Sequence, residues 1–161
     1  MNRWMIILLT AVLLGACSPP AADPLAPVQA YLVDNIGEAY FGGEVFCAYD
    51  VLDTAVGTES AAVYVWALCA EYYVEDGRLV MGTASSLPVA LYLEDNGQQG
   101  YRVNQHELPG NGIEYGPSLR RIFPAAAIAA MCEGKTACYN DRAWRLEDAA
   151  EAQARAYFGL E

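Results

Sequence analysis

Basic residues are scarce in this sequence: 9 Lys and Arg stand against 20 Asp and Glu, and the formal charge is −11. A chain with so few cations lacks the basic patch with which proteins neutralise phosphates, which argues against nucleic acid and anionic lipid surfaces as partners. It is not a disordered polyanion, because 55% of its residues are hydrophobic, enough for one folded core.

Motifs that identify a chemistry are also missing. The sequence contains no nucleophile elbow, P-loop, Rossmann fingerprint, calcium-binding loop or two-histidine metal motif, and it has a single histidine. No internal repeat is present. We therefore expect no cofactor and no metal, and the sequence predicts location and architecture better than it predicts activity.

The N-terminus has the layout of an export signal. Arg3 precedes an almost uninterrupted apolar stretch from Trp4 to Leu14, and Gly15 and Ala16 then lead directly into Cys17. The apolar stretch is shorter than the roughly 20 residues that a membrane-spanning helix needs. Leucine, two small residues and cysteine in succession resemble the lipobox of bacterial lipoproteins.

The lipobox resemblance implies that residues 1–16 are a signal peptide and that the Cys17 sulfur receives a diacylglycerol. The new amino terminus would be acylated as well, by palmitate or a similar chain, and two or three chains anchor a protein firmly. Ser18 is not the aspartate that favours inner-membrane retention in enteric bacteria, so the resemblance implies a cell-envelope protein on the outer membrane, facing the periplasm. An uncleaved anchor, or a plain secretory signal with a chance cysteine, remains the alternative.

A proline-rich tether is predicted over residues 17–27. Four prolines among residues 18–27 favour an extended polyproline conformation without packing. Residues 28–161 are then expected to form a single globular α+β domain.

Apolar periodicity predicts one helix over about 25–36 and four strands near 44–53, 60–74, 78–94 and 100–107. Short glycine-bearing connections between the strands are typical of antiparallel hairpins. We expect a bulge or break around Gly82–Pro88, because glycine weakens a strand and proline cannot donate to a ladder. The second strand is apolar on both parities, so both of its faces should be covered.

Two helices are predicted to end the chain, one over 124–131 and one that starts at Asn140. Tyr139 and Trp144 have the spacing of a hydrophobic staple about that N-cap, and Gly159 ends the helical pattern. The predicted fold is therefore α+β: an N-terminal helix, a four-stranded antiparallel curved meander sheet and two C-terminal helices.

This order of elements resembles the cystatin-like and NTF2-like folds, in which a curved sheet wraps a helix. The stretch from Phe46 through Tyr73 to Pro124 also resembles a segment found in uncharacterised secreted bacterial proteins. Neither resemblance implies a particular activity for this chain.

Four cysteines remain after Cys17, and an even number in an exported chain indicates two disulfides, for which three pairings are possible. We predict Cys47 with Cys69, because they fall nearly opposite each other on adjacent strands. We predict Cys132 with Cys138, because they close a short loop between the tail helices. Zinc is the competing interpretation, although the sequence has no Cys-x-x-Cys pair.

His106 is a weak candidate for catalysis. It is the only histidine and precedes Glu107, so its imidazole could act as a general base near neutral pH. Strand alternation, however, places it with Arg102 and Asn104 on the face opposite Val103, where a solvated side chain needs no function.

Asp50 is the second weak candidate. Strand alternation places it with Phe46, Ala48 and Leu52, and a buried carboxylate beside aromatic rings would have a raised pKa, as the general bases of some NTF2-like enzymes do. The alternative is a carboxylate in contact with water near an open strand edge.

Tyrosines are numerous, 11 in all, and amphipathic rings suit binding surfaces as well as the core of a curved sheet. Six lie on or near the predicted sheet: Tyr64, Tyr72, Tyr73, Tyr92, Tyr101 and Tyr115. The turn-rich connection over residues 107–117 is the longest, so a recognition loop is expected there.

Three functions remain open. The first is a lipid-anchored, non-enzymatic envelope module that binds a basic protein or a small ligand through an acidic, tyrosine-bearing face. The second is a small NTF2-like enzyme that uses Asp50 or His106 in a pocket of the sheet. The third is an inhibitor of a secreted hydrolase such as lysozyme.

Overall fold

The computed structural model describes residues 22–98, 100–131 and 138–160. The predicted signal peptide, the lipidated Cys17 and the first part of the tether lie outside these residues. The described elements, in chain order, are α1 (Val28–Asn35), β1 (Glu44–Val56), β2 (Ser60–Glu75), β3 (Arg78–Asp95), β4 (Tyr101–Glu107), a 3-10 turn (Gly112–Glu114), α2 (Tyr115–Ile122), α3 (Ala125–Met131) and α4 (Cys138–Phe158).

The four strands form one antiparallel meander in the order β1-β2-β3-β4, so the predicted α+β fold class is confirmed. One face of the sheet packs against α1, and we call it the α1 face. The opposite face packs against α2, α3 and α4, and we call it the α4 face. No helix among the described residues combines the length and the apolar character needed to cross a bilayer.

β2 explains why the sheet needs helices on both sides. Val63, Val65 and Ala67 point to the α1 face, whereas Trp66 and Leu68 point to the α4 face, and all five are buried. Because both parities of this strand are apolar, neither face could remain in water, and the prediction that both would be covered is confirmed.

A β-bulge interrupts the pairing of β2 with β3 at the predicted place. Ala70 pairs with Ala84 and Tyr72 pairs with Met81, so Glu71 lies opposite two residues, Gly82 and Thr83. Pro88 further along remains within β3. It is tolerated because β4 pairs with β3 only from Ala90 onward, so the outer edge at Pro88 lies beyond the β3–β4 ladder.

A disulfide joins Cys47 to Cys69, as predicted. The two residues pair directly across β1 and β2, with their Cα atoms 4.1 Å apart. Both are buried beneath α1. The second predicted disulfide, Cys132 with Cys138, involves Cys132, which lies outside the described residues.

Two helices also meet at the open edge of β1. The side-chain amides of Gln29 in α1 and Gln153 in α4 both donate to the Cys47 carbonyl oxygen, at 2.7 and 3.0 Å. This carbonyl is therefore unavailable to a strand from another chain, which is one way in which sheets protect their edges.

The C-terminal part differs from the prediction in two respects. α2 was not predicted: Tyr115, Leu119 and Ile122 do recur at helical spacing, but Gly116 and Pro117 in its first turn gave the stretch the composition of a loop. α4 begins at Cys138, so Asn140 lies within the helix and the predicted N-cap at Asn140 is wrong. Trp144, the predicted partner in the hydrophobic staple, is 68% exposed. Gly159 does end the helix: it has φ +67° and is followed by a hydrogen bond from Leu160 N to Arg155 O.

The end of the predicted tether is not extended. Residues 24–27 form a turn, and the backbone N–H of Leu25 donates to the Asp23 carboxylate at 2.9 Å. Leu25 packs against the core of the α1 face. The prediction of an extended, unpacked chain is therefore wrong for these last four residues, because one leucine among the prolines has apolar surface to bury.

Candidate functional site

Glu71 is the one buried charged residue among the described part of the chain, with none of its surface exposed. It lies on β2 between Ala70 and Tyr72, which face α4, so its side chain points to the α1 face. The bulge of β3 opposite it opens room for the carboxylate. A buried carboxylate needs several hydrogen bonds to remain ionised, and its surroundings provide them.

Backbone N–H groups from the α1–β1 connection bind this carboxylate. Oε1 accepts from Phe41 N and Gly43 N, each at 2.8 Å, and Oε2 accepts from Tyr40 N at 2.9 Å. The Thr83 hydroxyl shares its one hydrogen between Glu71 Oε2, at 3.0 Å, and the Glu38 carbonyl oxygen, at 2.7 Å. Three backbone N–H groups within four residues are thus bound by one side chain that lies about 30 residues further along the sequence.

The ionised form of Glu71 is strongly favoured. Burial by itself raises the pKa of its carboxyl group, but the backbone N–H groups of Gly43, Tyr40 and Phe41 and the Thr83 hydroxyl outweigh burial and bring the pKa to about 2. Amide dipoles, rather than a cation, therefore hold the charge, since no described Lys, Arg or His forms an ion pair with it.

Glycines make this arrangement sterically possible. A Cβ on Gly43 would lie 2.4 Å from the Tyr72 carbonyl oxygen, and a Cβ on Gly82 would lie 2.7 Å from Glu71 Oε2. Gly42 has φ +78°, a conformation that residues with a side chain rarely adopt. The close approach of the connection to the sheet therefore depends on residues without side chains.

The same hydrogen bonds leave two aromatic side chains in solvent. Tyr40 is 70% and Phe41 64% exposed, although their backbone N–H groups are bound to a buried acid. The Phe41 ring stacks on Tyr73, with centroids 6.2 Å apart and planes 22° apart. We call residues 38–43 the aromatic loop.

Acidic side chains surround the aromatic loop. Glu38 Oε2 accepts a hydrogen bond from the Tyr40 hydroxyl at 3.0 Å, which raises the pKa of that phenol. Asp34 and Glu44, before and after the loop, are exposed. The loop therefore combines exposed rings with negative charge.

Asp50 lies at the other face and is bound by two arginines. It accepts from Arg145 Nη2 at 2.6 Å and Arg145 Nη1 at 2.8 Å, and from Arg142 Nε at 3.0 Å. These bonds, those of Arg145 foremost, hold the pKa of Asp50 below its ordinary value although partial burial opposes them. The raised pKa expected for a buried Asp50 is therefore not found, because two cations from α4 reach the carboxylate.

The other contacts of Arg142 give the Asp50–Arg142 pair a structural role. Its guanidinium donates to the carbonyl oxygens of Met131 and Ala130 at the end of α3, at 2.6 and 2.8 Å, and lies over the Trp66 ring, 5.6 Å from the centroid. Asp50 and Arg142 together fasten α3 and α4 to β1. The pairing of the tail arginines with β1 is not visible in the sequence.

His106 lies on the α1 face, contrary to the prediction that it shares the solvated face of Arg102 and Asn104. A bulge in β4 is responsible: Leu93 pairs with Val103 but Tyr92 pairs with Gln105, so one residue is inserted and the alternation reverses. His106 is therefore half-buried, and its Nδ1 lies 2.8 Å from the Tyr31 hydroxyl of α1.

Glu107 points to the opposite face from His106. Its carboxylate accepts from the Tyr92 hydroxyl at 3.1 Å and from Arg121 Nη1 at 2.9 Å. The pair His106–Glu107 therefore does not form one site. The two residues connect β4 to different helices, α1 and α2.

The predicted tyrosines mainly fill the sheet. Tyr64, Tyr72 and Tyr92 belong to the core of the α4 face and Tyr101 packs against the core of the α1 face. Tyr73 alone of the six stacks on the aromatic loop. Tyr40 was not among the predicted site residues. The available signal was the run Tyr-Phe-Gly-Gly at 40–43, which places two aromatic residues next to two glycines in a turn.

Residues 107–117, where a recognition loop was predicted, contain the end of β4, the 3-10 turn and the start of α2. The Ser118 hydroxyl accepts from Gly110 N and donates to the Glu114 carbonyl oxygen, which ties the connection to α2. Ile113 at its tip is 92% exposed. The role predicted for this connection stays a prediction.

Three clefts lie on the described surface at places away from the candidate catalytic residues. One of about 480 Å³ lies beside the β1–β2 turn, one of about 510 Å³ beside Arg78 and Arg155, and one of about 100 Å³ beneath Glu38. Asp50 and His106 line none of the three. Within the described ranges, no three His, Cys, Asp or Glu side chains come together as a metal site.

Comparison of the chain with known protein families, with curated proteins and with solved structures finds no match. The aromatic loop and its buried carboxylate are therefore interpreted from their own geometry.

Proposed function

We propose that this protein is a lipid-anchored module of the bacterial cell envelope that binds a basic protein partner through its aromatic loop and has no catalytic role of its own. The main support is that Tyr40 and Phe41 are exposed although the backbone N–H groups of both residues are hydrogen-bonded to a buried carboxylate. If these two rings had no partner, nothing would require a buried acid to fix the backbone that carries them.

Rigid presentation favours binding for a thermodynamic reason. A loop that is already ordered in the free protein loses little conformational entropy when a partner binds, so more of the contact energy appears as affinity. Aromatic rings are enriched at interfaces because they bring a large contact area with few rotatable bonds. The aromatic loop has both properties.

Charge indicates the class of partner. The chain has a formal charge of −11, and the loop is flanked by the exposed carboxylates of Asp34, Glu38 and Glu44. Such a field attracts basic proteins and repels anionic lipids and nucleic acids.

The lipid anchor at Cys17 and the outer-membrane location belong to this proposal. Their support is the lipobox-like sequence Leu14-Gly15-Ala16-Cys17, together with the Cys47–Cys69 disulfide, which is typical of proteins that fold in an oxidising compartment. Globomycin, which blocks cleavage of lipoprotein signals, should retard the electrophoretic mobility of the chain. A Cys17→Ala variant that still partitions into detergent would contradict the anchor.

Inhibition of a secreted basic hydrolase such as lysozyme is a second candidate, because a rigid protruding loop can enter an enzyme cleft. An enzyme that uses Asp50 or His106 has less support. Asp50 is paired with two arginines, His106 is hydrogen-bonded to Tyr31, and neither lines the clefts described above.

The test is photocrosslinking from the full chain in its native cells. A photoreactive phenylalanine analogue at position 40 should give an adduct with a basic envelope protein, identified by mass spectrometry. The same analogue at Ile113, which is more exposed but lies on another surface, is the matched control. The adduct should persist with purified partner and disappear in a Phe41→Ser variant.

Adducts at position 40 no more abundant than at position 113 would overturn the proposal, as would adducts with lipid or with a second copy of the chain. The inhibitor candidate has its own readout. The full chain in nanodiscs, at micromolar concentration, should slow lysozyme if that candidate is right, and unchanged lysozyme activity would exclude this enzyme as the target.

A further inference from the structure

We propose that the aromatic loop recognises an arginine side chain of its partner, with the guanidinium over the exposed face of Phe41 and paired with the Glu38 carboxylate. This inference rests on the proposed function, because it names the chemical group that the binding module takes. It follows from three features of the loop: a supported ring, a positioned carboxylate and an acidic rim.

The Phe41 ring is supported by the sheet and is still largely exposed. Tyr73 stacks on it with the ring centroids 6.2 Å apart, while 64% of the Phe41 residue remains accessible to solvent. The negative face of an aromatic ring attracts a cation, and arginine is the side chain most often found there. Because Phe41 N is bound to Glu71, the ring is positioned before the partner arrives.

The carboxylate of Glu38 is also positioned. Its Oε2 accepts from the Tyr40 hydroxyl at 3.0 Å, and the Glu38 backbone carbonyl accepts from the Thr83 hydroxyl at 2.7 Å. Within the described residues, no donor is bound to Glu38 Oε1, so this oxygen can accept a hydrogen bond from an arriving cation. One acid and two rings therefore belong to the same short loop, and the acid is hydrogen-bonded to one of the rings.

Arginine fits this arrangement better than lysine does. A planar guanidinium can stack on a ring and, in the same pose, direct N–H groups to a carboxylate, and it is less strongly hydrated than an ammonium group. A lysine ammonium is also attracted to the ring, but it is compact and strongly hydrated and cannot stack on the ring while it pairs with the carboxylate. The exposed carboxylates of Asp34 and Glu44 attract either cation, so the ring is the feature that discriminates between them.

The experiment compares two peptides of equal net charge, one with two arginines and one with lysines at the same positions, against the full chain in nanodiscs. Fluorescence anisotropy measures Kd at two salt concentrations. We expect the arginine peptide to bind about two- to fivefold more tightly than the lysine peptide, which is the range of an exposed cation–π contact. Phe41→Leu, which keeps the apolar volume but removes the ring, should abolish the difference.

Two further variants separate Glu38 from general charge. Glu38→Gln should weaken the arginine peptide more than Glu59→Gln, a matched loss of one exposed acid in the β1–β2 turn at the opposite end of the sheet. Circular dichroism and thermal unfolding verify that Phe41→Leu and Glu38→Gln remain folded, since neither removes a described backbone hydrogen bond.

The outcomes distinguish this inference from the proposed function. Equal affinities for the two peptides, or an arginine preference that survives in Phe41→Leu, would overturn the arginine inference even if crosslinking from position 40 succeeds. Failure of that crosslinking would overturn both. An arginine preference that is lost in Phe41→Leu and reduced in Glu38→Gln but not in Glu59→Gln would support it.

Discussion

Glu71 on one face of the sheet and Asp50 on the other each fasten another part of the chain, and they do so in different ways. On the α1 face, Glu71 is completely buried and accepts from backbone N–H groups of the aromatic loop. On the α4 face, Asp50 has a side chain that is 23% exposed and pairs with Arg142 and Arg145. The first fixes the conformation of a loop, whereas the second fixes the position of a helix.

The two arrangements differ in the conformational entropy that the partner groups lose when they bind the carboxylate. Backbone N–H groups have no rotamers of their own, so binding three of them defines the path of the loop. Arginine side chains are long, lose rotamer freedom when they pair, and keep part of their pairing energy only where water is excluded. We therefore expect the α1 face to depend more heavily on its single carboxylate than the α4 face does.

The largest expected effect comes from Glu71→Gln. Glutamine has one acceptor oxygen and an amide that would direct its hydrogens at the N–H groups of the loop, so part-buried donors lose their partners. We expect the melting temperature to fall by roughly 15 °C, since several hydrogen bonds to a charged group are lost at once. Asp50→Asn, the matched change on the other face, should have a smaller effect in the same thermal unfolding experiment.

The melting temperature of wild type and of Glu71→Gln, measured as a function of pH, tests the ionised state of Glu71. The pKa of Glu71 in the folded protein is about 2, below its ordinary value of 4.5, so its contribution to stability is complete above pH of about 4.5 and is lost as the pH falls toward 2. Part of the acid-induced drop in melting temperature should therefore be absent in Glu71→Gln. An identical drop in wild type and variant would show that Glu71 is not the ionised anchor of the loop.

The disulfide gives the second largest effect. Replacing Cys47 and Cys69 together by alanine removes a cross-link between residues 22 positions apart and should lower the free energy of unfolding by about 2–4 kcal/mol. Denaturant titration measures the change. Since the bond lies under α1, hydrogen exchange should increase in α1 more than in α4, and equal increases would weaken the distinction between the two faces.

The two arginines of the α4 face should differ from each other. Arg142 has a side chain that is 13% exposed and binds two carbonyl oxygens as well as Asp50, so Arg142→Ala should cost about 2–3 kcal/mol. Arg145 has a side chain that is 62% exposed, and Arg145→Ala should cost no more than about 1 kcal/mol. Equal costs in urea unfolding would mean that exposure does not decide the strength of these pairs.

The smallest effect is expected from Tyr72→Phe, and it should stabilise the protein. Tyr72 is 2% exposed on the α4 face, and no described atom forms a hydrogen bond with its hydroxyl oxygen. Removing a buried hydroxyl that lacks a partner should leave the melting temperature unchanged or raise it by about 2–4 °C. A decrease would reveal a partner for the hydroxyl group.

Much of the fold could be predicted because it depends on local pattern. The four strands, the bulge near Gly82 and the helix stop at Gly159 follow from alternation, glycine and proline, and all are observed. The helix α2 was missed although Tyr115, Leu119 and Ile122 have helical spacing, because it is only eight residues long and begins within a stretch rich in glycine and proline. The end of the tether was also missed, because the contact of Leu25 with the core is a tertiary contact.

The candidate site was harder to predict than the fold. Glu71 lies in an apolar run and was not predicted as a site residue, because its partners lie about 30 residues earlier in the chain. Asp50 was placed on the correct face with Ala48 and Leu52, but neither interpretation of it, a buried carboxylate with a raised pKa or a carboxylate in contact with water, included a cation that lowers the pKa. The cations that lower it lie more than 90 residues away in sequence.

The sequence by itself determined the order of helix and strands, the apolar character of both sheet faces and the pairing of Cys47 with Cys69, since each depends on spacing along the chain. Only the tertiary structure decided which polar groups meet: Glu71 with the aromatic loop, Asp50 with α4 and His106 with α1. The physical reason is that burial follows from local periodicity, whereas the partner of a buried charge is whichever donor the packed chain brings within hydrogen-bonding distance.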